Sequence, residues 1–125
     1  ELYRLKNELD KARHELDEAM TIATRGEMRL YQADCHLEYS RLCLAEGNRK
    51  KAKEHLSIAR KMIDEMGYHR RDVEVLLIDA QIALADGDKT KAQEHLSAAK
   101  RIIDEKGLHR WDLEVREIEE ELTRA

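Results

Sequence analysis

The chain has 125 residues, a length that suits one domain with a modest core. Charged residues make up 40% of it, 27 acidic and 23 basic in an interleaved order, so the net charge is −4 and no basic stretch favours nucleic-acid binding. Because no apolar run approaches the roughly 18 residues that a membrane span needs, and no secretory leader is recognisable, we expect a soluble cytoplasmic protein without a membrane partner.

The first predicted element is a helix over about residues 2–24. The chain lacks Pro and Phe, and its apolar residues are mainly Leu, Ala, Ile and Val, which favour helices with one buried stripe. A single apolar stripe recurs here at spacings of three and four, as expected of an end helix with a neighbour on one side. Its members are Leu2, Leu5, Leu9, Ala12, Leu16, Ala19 and Ala23. Gly26 is predicted to end the helix in a left-handed conformation.

An internal repeat of 40 residues organises the rest of the chain. Segments 47–75 and 87–115 share 17 identities in 29 positions without a gap. The same offset carries part of the first helix, Ala12, Leu16 and Ala19, onto Ala52, Leu56 and Ala59. We therefore expect one domain, 1–125, made of four parts. These are an N-terminal helix (1–26), two repeats (28–67 and 70–107) and a C-terminal capping helix (109–125).

Glycines divide each repeat into two helices. Gly47-Asn48 and Gly87-Asp88 form tight turns between antiparallel helices, because Gly accepts the left-handed conformation and Asn or Asp caps the amide donors that follow. The predicted helices after the first cover about 28–46, 48–66, 72–86, 88–106 and 111–123.

A shared His-Arg-x-Asp sequence follows the second break of each repeat, at Gly67 and Gly107. Its two copies are His69, Arg70, Asp72 and His109, Arg110, Asp112. We expect the Asp to cap the next helix and the Arg to pair with a neighbouring carboxylate. The alternative is a phosphate or carboxylate site, since Arg offers a planar fork and a helix start offers amide donors.

The last predicted helix keeps one apolar stripe, formed by Trp111, Val115, Ile118 and Leu122. Positions that correspond to apolar residues of the earlier repeat are polar here: Arg116, Glu117, Glu120, Thr123 and Arg124. One of its two contact faces is therefore predicted to face solvent, as a terminal capping helix requires.

These hairpins resemble the tetratricopeptide repeat (TPR), whose second helix carries small, large and small residues in sequence. That signature falls on Ala52, Leu56, Ala59 and on Ala92, Leu96, Ala99. The period of 40 exceeds the usual length of about 34, so the chain is similar to extended repeats of this family, such as those of bacterial multidomain signalling proteins. The resemblance implies an all-α fold, a right-handed superhelical α-solenoid of antiparallel helix hairpins with about six helices.

The same resemblance implies a binding surface for a peptide or helix, the concave face made by the first helices of successive hairpins. Its candidate residues are Asp34, Leu37, Glu38, Arg41, Glu74, Leu77, Ile78, Gln81 and Glu114. The three apolar members would form the floor of a mixed groove.

Metal binding and catalysis find little support in the sequence. Two pairs of the six histidines, His55 with His95 and His69 with His109, are repeat equivalents, which indicates a structural role. No metal-ligand spacing, phosphate loop or nucleophile motif is present, so we expect no enzyme, no metal and no cofactor. Cys35 and Cys43 are predicted to be free core residues.

The function expected from these features is a protein-interaction scaffold, part of a larger bacterial regulatory protein, with a protein or peptide partner. One alternative is an architectural or self-associating repeat segment without its own ligand, since a short solenoid leaves apolar helix faces open at its ends. A remote alternative is a helical enzyme or small-ligand domain.

Overall fold

The computed structural model describes residues 2–124, with side chains from Leu5 onward, so the side chain of Leu2 lies outside the described part. The described chain is almost entirely helical, and each helix end lies within one residue of its prediction. The six α-helices are α1 (Leu2–Arg25), α2 (Arg29–Ala45), α3 (Arg49–Met66), α4 (Asp72–Ala85), α5 (Lys89–Lys106) and α6 (Asp112–Arg124). Two 3₁₀ turns, His69–Arg71 and His109–Trp111, precede α4 and α6.

The helices form two compact units, Glu1–Tyr68 with α1 to α3 and His69–Ala125 with α4 to α6. In the first unit α2 and α3 make the most extensive contact, and α1 packs against α2. The side chains buried in α3 are Ala52, Leu56, Ala59 and Ile63. Where the two helices cross, the hydroxyl of buried Ser40 donates a hydrogen bond of 2.8 Å to the carbonyl of Ala52.

The second unit repeats this packing with α4 and α5 and adds α6. One cluster of buried residues joins the three helices: Val73, Leu77, Ala80, Leu96, Ala99, Ile103, Val115 and Ile118. Small residues at the crossing of α4 and α5 let the two backbones approach each other, as Ser40 and Ala52 do in the first unit.

Left-handed residues occur every 20 positions and separate the helices. They are Glu27, Gly47, Gly67, Gly87 and Gly107. The predicted caps are confirmed, since the side chains of Asn48 and Asp88 accept hydrogen bonds from the backbone N–H groups three residues later. The predicted role of Gly26 is wrong: Glu27 takes the left-handed conformation, with φ of 53°.

The prediction that Asp72 and Asp112 are N-caps is also wrong. Each is the first residue of its α-helix, because a 3₁₀ turn precedes it, and Arg71, at the cap of α4, makes no side-chain capping bond. The two carboxylates instead accept hydrogen bonds from a ring nitrogen, the Nδ1 of His69 and of His109, each at 3.1 Å.

Cys35 and Cys43 are buried and free, as predicted. Among the helices that the structure describes, none has the length and apolar character needed to cross a membrane.

Candidate functional site

The nine residues predicted to form a binding face differ widely in exposure. In the first unit Leu37 is buried, Asp34 and Arg41 are half-buried and Glu38 is exposed. In the second unit Leu77, Ile78 and Glu74 are buried, while Gln81 and Glu114 are half-buried. The three apolar residues are at most 1% exposed and so have no surface to offer a ligand. This corrects the expected groove floor: Leu77 belongs to the core that joins α4 to α5.

Two of the predicted residues, Glu38 and Arg41, line an open groove of about 490 Å³ between α1 and α2. The other lining residues are Ala12, Glu15, Leu16 and Leu42. Apolar side chains thus form the floor of the groove, and charged side chains from both helices form its rim. Sequence reasoning missed the α1 side of this site.

The α1 side of the groove carries the repeat signature that is buried elsewhere. In α3 the stripe Ala52, Leu56, Ala59 is at most 3% exposed, and in α5 the stripe Ala92, Leu96, Ala99 is at most 4% exposed. The corresponding residues of α1 are open: Ala12 and Ala19 are exposed and Leu16 is half-buried. The prediction that this stripe would be buried is therefore wrong over most of its length. Ala12, Leu16 and Ala19 are identified as a candidate surface when their exposure is compared with that of the residues 40 and 80 positions later in the chain.

Polar contacts fix α1 to α2 beside the groove. The guanidinium of Arg13 pairs with the carboxylate of Glu46 at 2.5 Å and approaches the Sγ of Cys43 at 3.8 Å. One turn further along α1, the carboxylate of Asp17 accepts a hydrogen bond from the hydroxyl of Tyr39. Burial and the neighbouring Asp17 carboxylate together raise the pKa of Tyr39, so its hydroxyl stays protonated and remains a donor.

A stack of three rings lies between α2 and α3. The ring of His55 stacks on those of Tyr39 and His36, with centroid distances of 4.8 and 5.3 Å. The Nδ1 atoms of the two histidines are 3.1 Å apart. Burial lowers the pKa of both, and His36 is lowered further by the proximity of His55. Within the described residues no group of three or more metal-ligating side chains comes together. The stacked rings of these two histidines make a direct contact between α2 and α3.

A second cavity, of about 360 Å³, lies in the second unit where α4 begins, α5 ends and α6 begins. Its basic lining residues are His69, Arg70, Lys106, His109 and Arg110. Its apolar lining residues are Val73, Ile102 and Leu108. Both copies of the shared His-Arg sequence therefore face one cavity.

The chain matches no protein-family model, no curated protein and no solved structure.

Proposed function

We propose that this protein is a protein-interaction module of the tetratricopeptide type, a right-handed α-solenoid of antiparallel hairpins, and that the groove between α1 and α2 binds an amphipathic helix of a partner protein. One observation carries the proposal. The small-large-small stripe that a neighbouring helix covers completely in α3 and α5 is open in α1. Because this stripe of α1 is exposed and lies beside a groove with an apolar floor, another helix could pack on it as α2 packs on α3 and α4 packs on α5.

The chain itself indicates what such a partner helix would look like. In the second unit α4 covers the stripe of α5 with Val73, Leu77 and Ala80, at spacings of four and three residues. A partner would therefore present an apolar stripe with a small residue at the point of closest approach. Two carboxylates and one guanidinium on the rim, from Glu15, Glu38 and Arg41, favour a partner helix whose flanks are basic.

A peptide of residues 29–46 tests this proposal, because α2 covers the equivalent stripe of α3. With Cys35→Ser and Cys43→Ser to prevent oxidation and a fluorescein label, its binding to the protein is measured by fluorescence anisotropy. We expect saturable binding that Ala12→Arg or Ala19→Arg weakens at least about tenfold, since each change places a charged chain on the apolar stripe.

Ser57→Arg is the matched control, because Ser57 is an exposed small residue of α3 outside the groove. It is expected to leave the affinity unchanged, and circular dichroism checks that all variants remain helical. No binding by the wild-type protein, or equal affinity in Ala12→Arg, would contradict the proposal.

The self-associating architecture has one specific observation in its favour: the exposed surface of α1 includes Leu5 and Ile22, which are 51% and 62% exposed. A second copy could cover this surface through its own α1. The polar residues Glu117, Glu120 and Arg124 of α6 are exposed and make head-to-tail stacking of α6 on α1 unfavourable. Sedimentation equilibrium separates the two functions, since a dimer that Ala12→Arg dissociates would favour self-association over a separate partner.

A further inference from the structure

The basic cavity of the second unit is lined by both copies of the repeated His-Arg sequence. Helices α4 and α6 are each preceded by a 3₁₀ turn that carries His-Arg, and residues of both turns line the cavity together with the C-terminal end of α5. The matching positions in the first unit are Arg29 and Leu30, and α2 begins directly after Met28 without such a turn. The two His-Arg turns that line this cavity therefore both belong to the second unit, and the cavity shares no lining residue with the groove on α1.

The charges at this cavity are unbalanced. Within the part of the chain that the structure describes, Arg70, Lys106 and Arg110 make no hydrogen bond or ion pair. The residues that line the cavity include no Asp or Glu, and the carboxylates of Asp72 and Asp112, each two residues after a lining arginine, accept hydrogen bonds from His69 and His109.

One of the three cations is also held in place. The guanidinium carbon of Arg110 lies 5.2 Å from the ring centroid of Trp111, a cation–π distance that restricts this side chain without neutralising its charge. Arg70, Lys106 and Arg110 are exposed residues that line one cavity, so an anion bound among them would be attracted by all three charges.

The floor of the same cavity is apolar. Val73 is buried, and Ile102 and Leu108 are half-buried, so that an apolar body can be covered below the cationic rim. The volume of about 360 Å³ is that of a small-molecule site. Arginine forks match phosphate oxygens bidentately, and a lysine adds a point charge.

We propose that the cavity formed by Arg70, Lys106 and Arg110 over Val73, Ile102 and Leu108 binds a small organic phosphate, a monoester whose phosphate lies between the three cations and whose apolar body lies on the floor. This site lies in the second unit and does not depend on the helix-binding groove.

Trp111 reports on this site directly, because it is the only Trp of the chain and its ring contacts Arg110. The probe is phenyl phosphate, titrated at constant ionic strength while Trp emission is recorded, with inorganic phosphate and benzyl alcohol as comparison ligands. We expect a saturable change with phenyl phosphate, weaker binding of inorganic phosphate and no saturable change with benzyl alcohol. Arg70→Gln and Lys106→Gln are each expected to weaken phenyl phosphate binding about tenfold.

Arg101→Gln is the matched control, since Arg101 is an exposed arginine of α5 outside the cavity lining. Isothermal titration calorimetry on the same variants checks that the fluorescence change reflects binding, and circular dichroism checks their folding. An unsaturable signal, equal weakening in Arg101→Gln, or equal affinity for phenyl phosphate and benzyl alcohol would each overturn the proposal. Ala12→Arg is expected to leave phenyl phosphate binding unchanged, so failure here and failure of the groove proposal can be told apart.

Discussion

His36 and His55, on facing helices of the first unit, place their Nδ1 atoms 3.1 Å from each other. Such a contact is a hydrogen bond only when one ring donates and the other accepts, so at least one of the two rings must be neutral. Burial, and for His36 also the charge that His55 would carry, lowers the pKa of both histidines below the ordinary value of 6.5. In the second unit the equivalent of His55 is His95, but Leu76 takes the place of His36.

The histidine pair predicts that the protein loses stability in mildly acidic solution. In the unfolded chain both histidines bind protons near pH 6.5, whereas in the folded chain they do so only at lower pH. The contribution of these two histidines to the free energy of unfolding is therefore fully present above pH 6.5, and it is lost as the pH falls below that value. Urea unfolding midpoints at about pH 7.5 and about pH 5.5 measure the loss. His55→Gln is expected to reduce it, because the pair is removed.

His95→Gln is the matched control for that experiment, since it changes a half-buried histidine at the equivalent position without a histidine opposite. It should leave the pH dependence close to that of the wild type. An equal reduction in both variants would mean that the pair is not its cause.

We expect the substitution Glu27→Gly to stabilise the protein. Glu27 is the only non-glycine residue with positive φ among the described residues, and it occupies the position that glycine takes at the other four helix ends. A left-handed conformation costs a residue with a Cβ about 1–2 kcal/mol. Glu27→Gly should raise the free energy of unfolding by about 1 kcal/mol, after allowance for the greater freedom of glycine in the unfolded chain. Chemical denaturation measures this change, and Glu27→Ala, which keeps the Cβ, should show little gain.

We expect the repeat-equivalent alanines Ala12 and Ala52 to differ in how much a larger side chain destabilises the protein. Ala52 is fully buried, and its carbonyl accepts a bond from Ser40, so Ala52→Leu should lower the free energy of unfolding by about 1–3 kcal/mol through overpacking. Ala12 is exposed, so Ala12→Leu should be nearly neutral. Thermal unfolding of the two variants compares them, and equal destabilisation would show that the stripe of α1 is covered.

We expect the substitution Leu77→Ala to cause a large loss of stability. The side chain of Leu77 is fully buried in the cluster that joins α4, α5 and α6, so Leu77→Ala should cost about 2–5 kcal/mol of unfolding free energy. Leu113→Ala is the matched change on the surface, since Leu113 is 66% exposed, and should cost much less. If Leu77→Ala had only a small effect on the denaturation midpoint, that result would contradict the core position of Leu77 and favour the binding face predicted from the sequence.

Much of the local structure was accessible from the sequence alone. The 40-residue repeat, the glycines at the turns and the caps at Asn48 and Asp88 predicted every helix to within one residue. These features depend on backbone conformation and on bonds between residues a few positions apart, which a linear pattern contains. The errors at Gly26 and Asp72 were local too, a shift of one residue and an unforeseen 3₁₀ turn.

The sites were decided by tertiary structure. Identical alanines at positions 12 and 52 differ in exposure because only the second has a helix packed over it. Leu77, expected at a binding face, lies in a core, and two His-Arg copies 40 residues apart in sequence line one cavity. Composition and spacing determine which face of a helix is apolar, but burial depends on what packs against that face, and those neighbours are distant in the chain. The sequence by itself therefore determined the helices and their turns, and only the packing of the helices decided which surfaces remain open to a partner or a ligand.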